Sequence, residues 1–134
     1  MEYLSDEADK RIRHMLSMPF IWIMIVPIVF LDITLYIYQQ IVFYLYDLEY
    51  IDRSKYIKID RHKLSYLNPL EKLNCAYCGY SNGLLAYALA IAAQTELYWC
   101  GIKHAKDPEF VAPDHHQKFA EYNNKKDFDR KYKK

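Results

Sequence analysis

The apolar run from Pro19 to Tyr46 constrains the fold of this chain more than any other feature. It reads PFIWIMIVPIVFLDITLYIYQQIVFYLY, and Asp32 is its only charged residue. A helix needs about 20 apolar residues to cross the hydrocarbon of a bilayer. The aromatic residues near the two ends of the run also resemble interfacial belts. The run therefore predicts a membrane segment in a chain of 134 residues, which has room for one domain at most.

Two topologies fit this run. In the first, a single tilted helix spans the bilayer. In the second, Pro27 breaks the helix and the chain forms a re-entrant hairpin in one leaflet, because proline removes a backbone donor. The length favours the single span, since membrane helices tolerate proline kinks.

Asp32 is costly at bilayer depth; we expect a protonated or snorkelling acid bonded to Thr34 or to freed backbone carbonyls, rather than an ion relay.

Basic residues flank the run on both sides and predict its orientation. They are Lys10, Arg11 and Arg13 before it, and Arg53, Lys55, Lys58, Arg61 and Lys63 after it. Positive charge is enriched on cytoplasmic flanks. In a span the richer C-terminal flank is cytoplasmic, and in a hairpin both flanks are. Both topologies therefore predict that the part after the run faces the cytoplasm, with its basic residues forming a collar over anionic lipid.

The segment after the membrane run carries two local signals. The letters YIKID alternate apolar and polar residues, which is the period of a short strand or an extended stretch. The letters NPLEK predict the start of a helix, with Asn68 as the cap and Pro69 at the first helical position. Glu71 then lies in the first turn, where the helix dipole favours an acid.

Four residues have the spacing of metal ligands. Cys75 and Cys78 form a C-x2-C pair followed by Gly79, which is the form of a zinc knuckle, and Cys100 and His104 lie one helical turn apart. Together they predict a Cys3His site. Thiolate-rich tetrahedral sites suit zinc, and a 2Fe–2S cluster is the alternative.

The stretch between the two halves raises an objection. It is rich in Ala and Leu, so it predicts a helix, and a straight helix from Gly83 to Trp99 would carry Cys100 about 25 Å away. We expect the helix to end near Ala93 and TELYW to return as a strand, because Thr, Tyr and Trp favour strands. A site shared between subunits, or His62 joining Cys75 and Cys78, are the alternatives.

Other interpretations of these residues stay open. CAYC has the spacing of a redox pair, although no βαβ pattern surrounds it. Cys100 could act as a nucleophile with His104 as its base, and unpaired cysteines also pack as small hydrophobes. His115 and His116 lie in a polar tail, where a histidine pair rarely binds a metal specifically. We expect them to be ordinary surface side chains.

The stretch from Asp60 to Ala105 resembles a group of small, uncharacterised bacterial membrane proteins. The elements that carry the resemblance are RH-LSYLN, NC-YC-Y-NG and YWC-IKH, and the likeness extends back to about Pro19. It carries over Cys75, Cys78, Cys100 and His104 as motif positions and implies the bacterial inner membrane. That group has proline after the third cysteine, where this chain has Gly101. The resemblance implies a unit and no activity.

These observations predict a mostly α-helical protein in four parts. Residues 1–18 form a short N-terminal segment, 19–48 the membrane segment, 49–106 the cytoplasmic Cys3His module and 107–134 a basic, flexible tail. Its expected function is a membrane-anchored zinc-binding adaptor that contacts lipid and other membrane proteins or a second copy. A net charge of +1 indicates no nucleic-acid partner. An iron–sulfur redox protein is the alternative, and a lipid-acting enzyme using Asp32, His62 or the Cys100–His104 pair is less favoured.

Overall fold

The computed structural model describes the backbone of residues 8–133 and the side chains from Arg11 onward, and it is mostly helical. The α-helices are α1 (Ala8–Ile23), α2 (Ile25–Tyr38), α3 (Pro69–Cys100) and α4 (Lys125–Tyr132). A π-helical turn spans Gln39–Phe43, and 3-10 turns span Arg53–Lys55, Arg61–Lys63 and Asp114–Lys118. No strand occurs among these residues, so the predicted mostly α-helical class is confirmed. The chain divides into two compact units, the first ending at Tyr87 and the second beginning at Ala88.

We call α1, α2 and the π-helical turn together the N-terminal helix. Its stretch Arg11–Phe43 is 33 residues long, is apolar enough to cross a membrane, and buries none of its most apolar window. The hairpin at Pro27, the alternative to a single span, is wrong, because the chain stays helical there. Pro27 is the third residue of α2, whose N-cap is Met24, and a first-turn residue needs no N–H for the helix. The irregularity therefore falls at Met24, which keeps helical angles.

We call the segment from Leu48 to Lys58 the return segment. It folds back along the N-terminal helix and the start of α3. Asp47 precedes it with a left-handed φ of 52°. The Gln39 side chain donates a hydrogen bond to the carbonyl of Ile51 at 3.3 Å. Further on, the segment passes so close to α3 that a Cβ on Gly83 would lie 2.7 Å from the Tyr56 carbonyl oxygen. The strand predicted for YIKID is absent, because this backbone lies against a helix and has no partner strand.

The Asp32 carboxylate accepts hydrogen bonds from two residues of the first unit that are distant in sequence. Arg53 donates two hydrogen bonds to its carboxylate, from Nε at 3.1 Å and from Nη2 at 2.6 Å. The Tyr80 hydroxyl donates a third at 2.7 Å. The expected bond from Thr34 is wrong, because the Thr34 hydroxyl donates to the Leu31 carbonyl at 2.9 Å within its own helix. Asp32 is thus an ion-paired carboxylate, since the return segment brings a guanidinium to it.

The start of α3 is as the sequence predicts, and its end is not. Asn68 Oδ1 accepts a hydrogen bond from the Glu71 N–H at 2.8 Å. The Glu71 carboxylate accepts one from the Asn68 N–H at 2.9 Å, which completes a capping box. The helix then continues through TELYW to Cys100. The Thr95 hydroxyl bonds to the Ile91 carbonyl at 3.0 Å, so it is accommodated inside the helix. The predicted stop near Ala93 and the returning strand are both wrong.

For the tail we expected disorder or a short surface helix, and it contains the short helix α4. Ala120 exchanges two backbone hydrogen bonds of 2.8 Å with the chain after α3, through the Gly101 carbonyl and the Lys103 N–H. Phe119 and Ala120 are at most 1% exposed. Asn124 caps α4 by accepting a bond from the Asp127 N–H. The tail is polar in composition, and Phe119 and Ala120 are its buried apolar residues.

Candidate metal centre

The candidate metal centre lies in the second unit and combines two elements. Glu96 lies one turn before the end of α3, and His115 and His116 lie in the 3-10 turn Asp114–Lys118. The turn begins after Pro113, whose carbonyl accepts the N–H of His116 at 3.0 Å. Because the two histidines are adjacent in a tight turn, both rings can face one side chain of α3.

Both imidazoles meet a single carboxylate oxygen. Glu96 Oε2 lies 2.9 Å from His115 Nε2 and 3.1 Å from His116 Nε2. The three ligand atoms lie within 4.8 Å of one another, and no other described set of three His, Cys, Asp or Glu residues forms such a group. Ligands about 2.1 Å from a tetrahedral zinc ion are about 3.4 Å apart. The two distances from Glu96 are those of hydrogen bonds, and each would lengthen by a few tenths of an ångström around an ion.

Burial and charge suit these side chains to metal binding. His116 is 5% exposed, and its ring stacks on Phe119 with a centroid distance of 4.8 Å. His115 packs edge-on against the same phenyl ring. The hydrogen bond to His115 is the main cause that lowers the pKa of Glu96, and the bond to His116 acts in the same direction. The carboxylate is thus ionised at neutral pH, as a metal ligand must be.

The lowered pKa of Glu96 predicts how acid affects the second unit. A carboxyl group whose pKa falls on folding stabilises the fold above its unfolded pKa, about 4.3, and this contribution is lost as the pH falls through the lower, folded value. We expect the unfolding temperature of the full chain to drop more steeply below pH 4.3 than that of Glu96→Gln, which cannot titrate. Thermal unfolding of both proteins between pH 7 and pH 2 measures this. Parallel curves would contradict the ionised role of Glu96.

A cavity of about 340 Å³ adjoins the histidine turn, and its lining includes His104, Phe110, Asp114 and His116. The His104 ring packs 5.0 Å from that of Phe110 and 5.7 Å from that of His116. His104 is therefore a neighbour of the candidate centre, but it does not belong to the group of three ligands.

The three cysteines all lie on α3. Cys75 is half-buried, and Cys78 and Cys100 are exposed. A Cys3His site within one chain required α3 to end near Ala93 so that Cys100 could return, and the helix continues instead. The expected stop of the helix is therefore wrong, and the Cys3His set itself stays a prediction. A site shared between subunits and one completed by His62 stay predictions.

Sequence reasoning considered the two histidines and missed their partner. It expected His115 and His116 to be surface residues, whereas both contact Glu96 and His116 is buried. Glu96 precedes His115 by 19 residues, a separation that matches no helical or strand period. The adjacent pair of histidines was the only local signal for this site.

No family model, no curated protein and no solved structure matches this chain. The resemblance to small bacterial membrane proteins stays a prediction.

Proposed function

We propose that the chain is a membrane-anchored module that binds a zinc ion in its second unit and serves as an adaptor for other membrane proteins or a second copy. One observation carries the proposal: two imidazole nitrogens lie 2.9 and 3.1 Å from one oxygen of Glu96. Two histidines and a carboxylate bind zinc in catalytic sites, with water as the fourth ligand; here we propose that the same set holds a structural ion, on the grounds given next. The N-terminal helix supplies the anchor.

The size of the second unit favours a structural role for the ion. Its described residues bury only three apolar side chains, those of Ile91, Phe119 and Ala120. A core this small contributes little to stability. Binding of a structural zinc ion supplies folding free energy of order 10 kcal/mol, and here it would join the end of α3 to the tail. A tail that the ion joins to α3 in this way presents a fixed surface that a partner protein can recognise.

Localisation follows from the charge flanks in this proposal. The basic residues after the N-terminal helix support a cytoplasmic location of the second unit, and the bacterial inner membrane is what the resemblance implies. Anionic lipid is then a partner through the same basic collar.

Two further classes remain as proposals of lower rank. A redox protein would hold a 2Fe–2S cluster on the cysteines, and it would need ligands from more than one chain because α3 is continuous. A lipid-acting enzyme would use Asp32, His62 or the Cys100–His104 pair. Asp32 fits that role poorly, since its carboxylate already accepts three hydrogen bonds.

Metal content tests the proposed centre directly. We expect about one zinc ion per chain in anaerobically purified, detergent-solubilised protein, and loss of most of it in Glu96→Gln and His116→Asn, because two ligands hold zinc poorly. His104→Asn is the matched control, since it alters a neighbouring histidine outside the ligand group. It should keep the zinc, as should Cys78→Ser. Elemental analysis and the visible absorbance spectrum are the measurements.

Each contrary result has a definite meaning. Zinc that is lost only in Cys78→Ser or Cys100→Ser would show that the cysteines, and not Glu96 and the two histidines, are the ligands. Iron with visible absorbance would move the protein to the redox class, because zinc is colourless. Absence of metal from every sample would end the zinc proposal.

A further inference from the structure

The return segment and the start of α3 lie beside the N-terminal helix along most of its length. Arg53 meets Asp32 through two hydrogen bonds. Nearer the N-terminus, the Tyr77 hydroxyl donates to the Ile21 carbonyl at 2.8 Å, and the rings of Trp22 and Tyr77 lie 4.7 Å apart. The return segment and the start of α3 therefore flank the helix from Ile21, near the start of its apolar run, to Asp32, at the middle of that run.

These flanking segments carry charges that a spanning helix would take into the hydrocarbon. Lys55 and Lys58 are exposed and lie within five residues of Arg53 along the return segment. Charged groups at bilayer depth are strongly disfavoured unless they are paired or face water. A perpendicular span therefore conflicts with the packing of the first unit.

Apolar side chains are exposed along the N-terminal helix over a length greater than the thickness of the hydrocarbon. These side chains include Met15, Phe20, Val26, Phe30, Ile37 and Tyr44. Met15 and Tyr44 are 29 residues apart, about 44 Å along a helix, whereas the hydrocarbon is about 30 Å thick. Covering that length in a span needs a tilt above about 40°, which is beyond the usual range. A helix that lies in the membrane plane covers it without such a tilt.

We infer that the N-terminal helix lies in the plane of a single lipid leaflet, so that the protein is monotopic and does not span the membrane. The apolar face enters the acyl chains, and the return segment and the start of α3 face the headgroups and water. The basic residues of the return segment (Arg53, Lys55 and Lys58) then lie where anionic headgroups are. The inference rests on the membrane anchoring of the proposed function and specifies its geometry.

Depth measurements with spin labels test this arrangement. Labels are placed one at a time at Met15→Cys, Phe20→Cys, Phe30→Cys and Tyr44→Cys in full-length protein whose native cysteines are replaced by serine. The protein is reconstituted in vesicles of phosphatidylcholine and phosphatidylglycerol. Accessibility to oxygen and to a water-soluble nickel complex gives the depth. We expect one shallow depth, about 5–10 Å below the headgroups, at all four positions. Lys58→Cys is the control on the polar side and should be accessible from water.

The possible results separate the inference from the proposed function. A depth profile that is deepest near Phe20 and Phe30 and shallow at the ends would show a span, which overturns the inference and keeps the anchoring. Labels accessible only from water would refute the anchoring itself. Labels shielded from both reagents would show that protein, such as a second copy, covers the face. Circular dichroism that matches the wild type must first show that the cysteine-free chain is folded. In the native chain, epitope tags are placed at the two ends, and protease is added to sealed vesicles. Equal sensitivity of the two tags is the result expected for a monotopic protein.

Discussion

Replacing Gly83 with alanine is expected to destabilise the first unit by about 1–2 kcal/mol. The new methyl group would lie 2.7 Å from the Tyr56 carbonyl oxygen and 2.8 Å from Cα of Ile57. Both are backbone atoms, so no rotamer change relieves the clash and the return segment must move away. Overpacking of this kind costs about 1–3 kcal/mol, and the better helix propensity of alanine offsets at most about 1 kcal/mol.

Gly79→Ala is the matched control for this substitution. It makes the same change on the same helix, but its methyl group would meet a single atom, the Lys58 carbonyl oxygen, at 3.0 Å. We therefore expect a loss well below that of Gly83→Ala, or none. Chemical unfolding in detergent measures both values, and limited proteolysis reports release of the return segment. A Gly83→Ala protein as stable as the wild type would show that the segment does not pack here.

Replacing Asp32 with alanine is expected to cost about 1–2 kcal/mol, because Arg53 and Tyr80 lose their shared acceptor. A hydrogen bond to a charged group contributes about 1.5–3 kcal/mol, and solvent reduces this here since the Arg53 side chain is 44% exposed. Burial and the bond to Asp32 raise the pKa of Tyr80 to about 12. Its hydroxyl is therefore a proton donor at every pH where the protein would be studied.

A double-mutant cycle separates the ion pair from other effects of the substitution. Unfolding is measured for Asp32→Ala, Arg53→Ala and the double variant. We expect a coupling energy of at least about 0.5 kcal/mol, as for residues in direct contact. Tyr80→Phe is the milder control, because it removes one hydrogen bond and keeps the ring. Strict additivity of the two alanine substitutions would mean that the pair contributes nothing to folding.

Local signals in the sequence predicted the local structure well. Asn68, Pro69 and Glu71 are close in sequence, and the capping box that they form depends only on the geometry of one helical turn. The apolar run likewise predicted a long helix, since its composition alone disfavours any other state. The error at TELYW has the opposite cause. Strand propensity is weak on its own, and no neighbouring strand is available to use it.

The sequence by itself determined that this chain has a long apolar helix, a second helix that begins at Pro69 and a mostly helical fold. Composition, caps and periodicity act between residues a few positions apart, so they can be read without the structure. The tertiary structure alone decided the partners. Arg53 reaches Asp32 because the return segment reverses direction, and Glu96 meets His115 and His116 because a tight turn in the tail points both rings at α3. Such pairs depend on where the chain folds back, and no local pattern encodes that.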